Sequence, residues 1–147
     1  MIKIEFTKAQ YENLIKLVYL GNWMINAIRT DDIVKKYDDV EQHIYSFAKD
    51  TGLDKYIEFD SELNKFFPTT ELEEDEEIEK YREEYDDEIF WDEITDRLAK
   101  RDFIKKYGED TIKKMTWKER LEKEYPFIEK YEEEFEKYGI ENLEIKK

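Results

Sequence analysis

The feature that most restricts how this chain can fold is the concentration of acid in one stretch. Residues 71–96 hold 15 of the 40 acidic residues and only two of the 25 basic residues. This stretch carries a net charge of −13, whereas residues 1–70 carry −3 and residues 97–147 carry +1. Because unpaired carboxylates are costly to bury, most of these side chains must face water.

Apolar residues recur at helical spacing through the same stretch. We therefore predict a long amphipathic helix that ends near Tyr107-Gly108, and Asp86-Asp87 is the point at which it would bend or break. Thr70 with Glu73 has the spacing of a capping box at its start. The apolar stripe consists of Ile78, Tyr81, Tyr85, Ile89, Phe90, Ile94 and Leu98.

Two more capping-box patterns predict helices on either side of the acidic stretch. Thr7 with Gln10 begins a helix that runs to about Arg29, and Thr116 with Glu119 begins one that ends at Gly139. The first helix is apolar nearly all round between residues 14 and 28, so we place it at the centre of a bundle. Pro126 is expected to kink or restart the last helix.

Between the first helix and the acidic stretch, apolar residues in steps of four and three predict an amphipathic helix with Gly52 as its stop. These residues are Ile33, Tyr37, Val40, Ile44 and Phe47. Residues 53–69 have mixed periodicity and are interpreted as short helical turns and a loop.

The two ends of the chain alternate in the manner of strands, at Ile2, Ile4 and Phe6 and again at Leu143 and Ile145. The predicted fold is mainly α: one domain over residues 1–147, a helical bundle of about five or six helices. In this fold the N- and C-terminal segments pair as a small two-stranded ribbon, and residues 71–96 form the acidic helix.

Composition excludes several kinds of chemistry. The chain has no Cys, which rules out disulfides and thiolate sites, and its single His43 leaves little room for imidazole chemistry. The four glycines are isolated, so there is no phosphate-binding loop. A net charge of −15 argues against direct binding to nucleic acids or anionic membranes.

No apolar run approaches the length of a membrane span. We therefore expect a cytoplasmic protein. Abundant Glu and Lys without Cys would suit a thermophile.

Carboxylate spacing supplies one enzymatic hypothesis. Glu74 and Glu77 form an E-x-x-E motif, and Glu93 and Asp96 form an E-x-x-D motif. Carboxylates three positions apart share a helix face and can hold Mg²⁺ against a triphosphate. The pattern resembles the acidic pairs of the all-α nucleotide pyrophosphohydrolases of the MazG kind. That resemblance implies an Mg²⁺-dependent hydrolase in which these four residues bind the metal, with the two pairs facing each other across a fold of the chain.

The leading hypothesis is non-enzymatic: an interaction or adaptor protein that presents the acidic helix to a basic protein partner. Tyr and Trp beside carboxylates are typical of protein-binding faces, and dense carboxylates can also imitate the phosphates of a nucleic acid. A third interpretation is that the acids only keep a Tyr-rich protein soluble. No catalytic residue and no cofactor follow from the leading hypothesis, and its candidate binding residues are Glu73, Glu74, Glu76, Glu77, Tyr81, Tyr85 and Trp91.

Overall fold

The computed structural model describes residues 2–145. Within this range the chain forms six helices and one two-stranded antiparallel sheet, with 64% of the residues in helices. This confirms the mainly α fold with a small sheet. The chain divides into two compact units, an N-terminal unit up to Arg82 and a C-terminal unit from Glu83. That residues 1–147 act as one domain stays a prediction.

The N-terminal unit begins with α1 (Lys8–Asn26), α2 (Lys35–Tyr45), β1 (Ile57–Asp60) and β2 (Lys65–Pro68). The predicted capping box at the start of α1 is present in both halves, since Thr7 accepts from the Gln10 N–H and Gln10 accepts from the Thr7 N–H. It satisfies two backbone donors that would otherwise lack partners. The predicted start of α1 is therefore confirmed.

The core of the N-terminal unit is rich in tyrosine. Tyrosine hydroxyls must reach partners when the rings are buried, and here Tyr11 donates to the Ile44 carbonyl oxygen and Tyr56 donates to Glu12 at 2.9 Å. Burial raises the pKa of Tyr11 to about 12. The buried set is Tyr11, Ile15, Tyr19, Tyr45, Ala48, Leu53, Tyr56, Ile57, Leu72 and Ile78.

The first helix is not the buried centre that its composition predicted. Only Tyr11, Ile15 and Tyr19, spaced four apart, are buried on α1, while Leu17 is 66% exposed and Met24 is 57% exposed. Three residues at this spacing form a single helix face. The expectation of contacts on several sides was therefore wrong.

The orientation of α2 also differs from the prediction. Val40, in the middle of the predicted apolar stripe, is 53% exposed, whereas Tyr45 is fully buried. The inward face is held by polar contacts: the Gln42 side chain both donates to and accepts from the backbone of Phe66 at 2.8 Å. Because these bonds connect α2 to β2, they determine which face of α2 points towards the core. The helix ends at Tyr45, and turns rather than helix lead to Gly52.

The small sheet is a hairpin, and it lies in the stretch predicted to be loop and helical turns. In β1 and β2, Ile57 pairs with Pro68 and Asp60 pairs with Lys65. Asp60 accepts from two loop N–H groups, those of Glu62 and Leu63. Asn64 takes a positive φ of 53° in the loop, which Asn tolerates better than most residues.

The predicted ribbon between the chain ends was wrong for the described residues. Neither 2–6 nor 140–145 is a strand. Alternation alone does not produce a strand without a partner edge, and the hairpin pairs its two short strands locally. Residues 1, 146 and 147 of the predicted end segments lie outside the described residues.

The acidic stretch forms two helices rather than one, α3 (Thr70–Glu73) and α4 (Glu76–Tyr107). The predicted cap at Thr70 is displaced to Thr69, which makes no side-chain capping bond. Asp75 starts α4 instead, because its carboxylate accepts from the N–H groups of Glu77 and Ile78, both at 3.2 Å. The helix then continues without interruption through Asp86-Asp87.

The C-terminal unit continues with α5 (Glu109–Ile112) and α6 (Trp117–Tyr138). The Thr116–Glu119 capping box that starts α6 is complete, Gly139 ends the helix, and Pro126 lies within it. Within this unit α4 and α6 pack antiparallel, since Trp91 contacts Phe135 and Phe103 contacts Phe127, with ring centroids 5.7 and 5.9 Å apart. This pair of helices supports an acidic surface.

Candidate protein-binding surface

Two of the predicted binding residues, Glu77 and Tyr81, make contacts within the N-terminal unit. Lys16 forms ion pairs with Asp75 at 2.7 Å and with Glu77 at 3.1 Å, and Tyr81 donates to Glu77 at 3.3 Å. Partial burial opposes ionisation of Asp75, but the hydrogen bonds from Lys16 and from the backbone N–H groups of Ile78 and Glu77, together with the charge of Lys16, outweigh it and lower the pKa of this carboxyl group. The start of the acidic stretch is thus already neutralised in part by this chain.

The remaining early acids lie at helix ends. Glu73 is the last residue of α3, Glu74 caps it, and Glu76 is the first residue of α4. All three are exposed. Glu76 lies in the first turn of α4, where negative charge is favoured by the helix dipole.

The next part of α4 is exposed at every position. We call residues 83–90 the exposed acidic segment: it contains five carboxylates and no basic residue. Tyr85 and Phe90, within it, are 51% and 47% exposed. Both residues belong to the predicted apolar stripe of this helix, yet they are exposed to water among carboxylates. Exposed aromatic side chains of this kind favour contact with another protein.

The exposed acidic segment continues into a cleft between α4 and α6, which we call the acidic cleft. Its volume is about 800 Å³. Three acids four apart on α4 and two acids four apart on α6 line it, because residues at this spacing share a helix face. The carboxylates of the acidic cleft are Glu88, Asp92, Asp96, Glu132 and Glu136.

The floor of the acidic cleft is apolar. Trp91, Ile128 and Phe135 line it together with the buried Thr95. Trp91, one of the predicted binding residues, packs against Phe135 and Phe90, so part of its ring belongs to the core of the C-terminal unit. The indole therefore both packs in this core and lines the cleft.

Among the residues that the structure describes, none that lines the acidic cleft is basic. Within residues 2–145, Asp92, Asp96, Glu132 and Glu136 form none of the ion pairs of the structure. Each pair of like charges four apart on a helix costs roughly 0.2–0.5 kcal/mol. The cleft therefore keeps five carboxylates together at a small cost in stability, with an apolar floor beneath them.

The predicted metal ligands are distributed over the C-terminal end of α3 and the length of α4. Glu93 pairs with Arg97 at 2.7 Å, and it lines a different groove from Asp96. Glu77, Glu93 and Asp96 all lie in α4, which has no turn between them. Among the described residues, no group of three or more His, Asp or Glu side chains is arranged to hold a metal ion. The hydrolase hypothesis stays a prediction.

Sequence reasoning missed Glu132 and Glu136, because nothing in the sequence says which face of α6 meets α4. It also passed over Asp92. The available signal was spacing: Glu88, Asp92 and Asp96 are four apart, and so are Glu132 and Glu136. Two such rows on helices that pack together predict an acidic groove.

Comparisons of the chain with protein-family models, with curated proteins and with solved structures gave no match. No helix within residues 2–145 has the length and apolar character needed to cross a bilayer.

Proposed function

We propose that this protein is a non-enzymatic interaction protein of the cytoplasm, and that the acidic helix binds a Lys- or Arg-rich segment of a partner protein. The acidic cleft and the exposed acidic segment form the binding surface. The observation that carries the proposal is the acidic cleft itself, in which five carboxylates without a counter-charge surround an apolar floor. Aliphatic stems of Lys and Arg suit such a floor while their charged ends meet carboxylates.

Electrostatics supports the same choice of partner. Uncompensated carboxylates steer a basic partner towards the surface and repel acidic ones. Cations that enter the cleft also relieve the repulsion among the acids of α4 and α6. Exposed Tyr85 and Phe90 offer apolar contact area at the edge of the charged region.

The test is affinity capture at low and high salt with two matched double variants. Asp92→Asn with Asp96→Asn removes two carboxylates from the acidic cleft. Glu129→Gln with Glu133→Gln removes two exposed carboxylates from α6 that do not line it. The two variants change the net charge equally.

We expect a basic protein to be retained by the wild type and by the Glu129/Glu133 variant. It should be lost from the Asp92/Asp96 variant, and from the wild type at high salt, since exposed charges are screened. If the acids served only solubility, both variants would behave alike. Equal retention by the two variants, or no salt-sensitive protein at all, would contradict the proposal.

A further inference from the structure

A second cleft lies on the C-terminal unit, lined by α4, α6 and the turn after Gly139. We call it the Arg101 cleft. Its volume is about 600 Å³, within the range of small-molecule sites. It shares Phe135 with the acidic cleft but, unlike that cleft, it is lined by three cations: Arg101, Lys105 and Lys130.

Arg101 is held in place by two groups. Its Nε donates to Asp102 at 2.9 Å, and its Nη2 donates to the Tyr131 hydroxyl at 2.9 Å. The same hydroxyl donates to the other oxygen of Asp102 at 2.5 Å. These bonds use two of the five N–H donors of the guanidinium, so a fixed group retains donors for a ligand.

Three cations cluster around Asp102 beside the Arg101 cleft. Lys105 and Lys130 lie 3.9 and 3.8 Å from Asp102, so a single carboxylate is shared by three cations. The hydrogen bonds from Arg101 and Tyr131 lower the pKa of Asp102 to about 2. Three cations thus surround this carboxylate, in a cleft whose lining also includes two glutamates.

The rest of the lining limits the kind of anion. Leu98, Phe135 and Leu143 supply apolar surface, and Glu134 and Glu144 also line the cleft. Glu134 is occupied by the Asn142 amide, which donates to it at 2.6 Å. Because two carboxylates are already present, a single negative charge is accommodated with less repulsion than a double one.

We propose that the Arg101 cleft binds a small monocarboxylate with an apolar body. The carboxylate accepts from Arg101, in the planar geometry that guanidinium groups favour, and from Lys105 and Lys130. The apolar body lies on Leu98 and Phe135. This inference does not depend on the partner proposed for the acidic cleft.

Isothermal titration calorimetry with three probes of similar size tests the proposal. Phenylacetate carries the carboxylate, phenyl phosphate carries a second negative charge, and 2-phenylethanol carries none. We expect phenylacetate to bind most tightly and 2-phenylethanol to show no binding. Tighter binding of phenyl phosphate, or equal binding of the alcohol, would overturn the proposed ligand class.

Three variants test whether phenylacetate binds in the Arg101 cleft. Arg101→Gln, and independently Lys105→Gln with Lys130→Gln, should each weaken phenylacetate binding by about tenfold or more, the scale of a lost charge-assisted hydrogen bond. The second variant leaves the Arg101–Asp102–Tyr131 contacts intact, so it separates ligand binding from folding. Lys113→Gln with Lys118→Gln, outside the cleft, should bind as the wild type does. Equal weakening in this control, or unchanged affinity in the Lys105/Lys130 variant, would refute the site.

Discussion

The hydrogen bonds to the Asp102 carboxylate predict how the free energy of unfolding depends on pH. The pKa of Asp102 moves from its ordinary value of 3.8 to about 2, because Arg101 and Tyr131 donate to the carboxylate. At about 1.4 kcal/mol per pKa unit, this corresponds to roughly 2.5 kcal/mol of stabilisation. The side chain is 21% exposed, and screening by water reduces the expected value to about 1–2 kcal/mol.

The direction of the pKa shift determines the pH range over which this stabilisation is lost. A carboxyl group with a lowered pKa in the folded protein stabilises it above the pKa of the unfolded chain, and this contribution is lost as the pH falls towards the folded value. Asp102→Asn should therefore lower the free energy of unfolding by about 1–2 kcal/mol near neutral pH. The difference between variant and wild type should shrink to nearly zero as the pH approaches about 2.

Urea unfolding followed by far-UV circular dichroism, repeated across this pH range, measures the difference. Asp110→Asn is the matched control, since the Asp110 side chain is 95% exposed and lies 4.0 Å from Lys113. It should stay within about 0.5 kcal/mol of the wild type at every pH. A difference for Asp102→Asn that stays constant from neutral to acid pH would refute the assignment to ionisation.

Three further predictions concern packing, backbone and chemistry. Ile15→Ala should lower the free energy of unfolding by about 2–5 kcal/mol because Ile15 is fully buried, whereas Leu17→Ala should lower it by under about 0.5 kcal/mol. Equal losses in chemical denaturation would instead support a first helix that is buried on all sides. Gly139→Ala should lower thermal stability by about 1–3 kcal/mol, because φ is 55° there, and an unchanged melting temperature would contradict that origin. Pyrophosphate release from nucleoside triphosphates with Mg²⁺ should stay at the uncatalysed level; release that is lost in Glu93→Gln would support the hydrolase hypothesis instead.

Local chemistry made the helix ends predictable. The capping boxes at Thr7 and Thr116 and the stop at Gly139 are set by contacts within a few residues, so the sequence contains all the information needed. The start of α4 was missed for a related reason: Asp75 is also a local cap, but the pattern at Thr70 obscured it.

The face that each helix turns towards the core was less predictable, because it depends on contacts between distant parts of the chain. Tyr37 and Val40 of the α2 stripe are exposed, since Gln42 bonds the backbone of β2, 24 positions away. The same limit applies to the candidate site. The acidic stretch could be located from charge alone, whereas the acidic cleft required knowing that Glu132 on α6 lies beside α4.

The most direct test of the central claim is the affinity of one basic helical peptide, selected for binding to the wild type, measured by fluorescence anisotropy at low salt. The Asp92/Asp96 variant should bind this peptide about tenfold or more weakly, the scale of losing charge-assisted contacts in the acidic cleft. The Glu129/Glu133 variant, with the same change in charge, should bind it as the wild type does. Equal weakening by both variants would show that overall charge attracts the peptide, and that the acidic cleft is not its binding site.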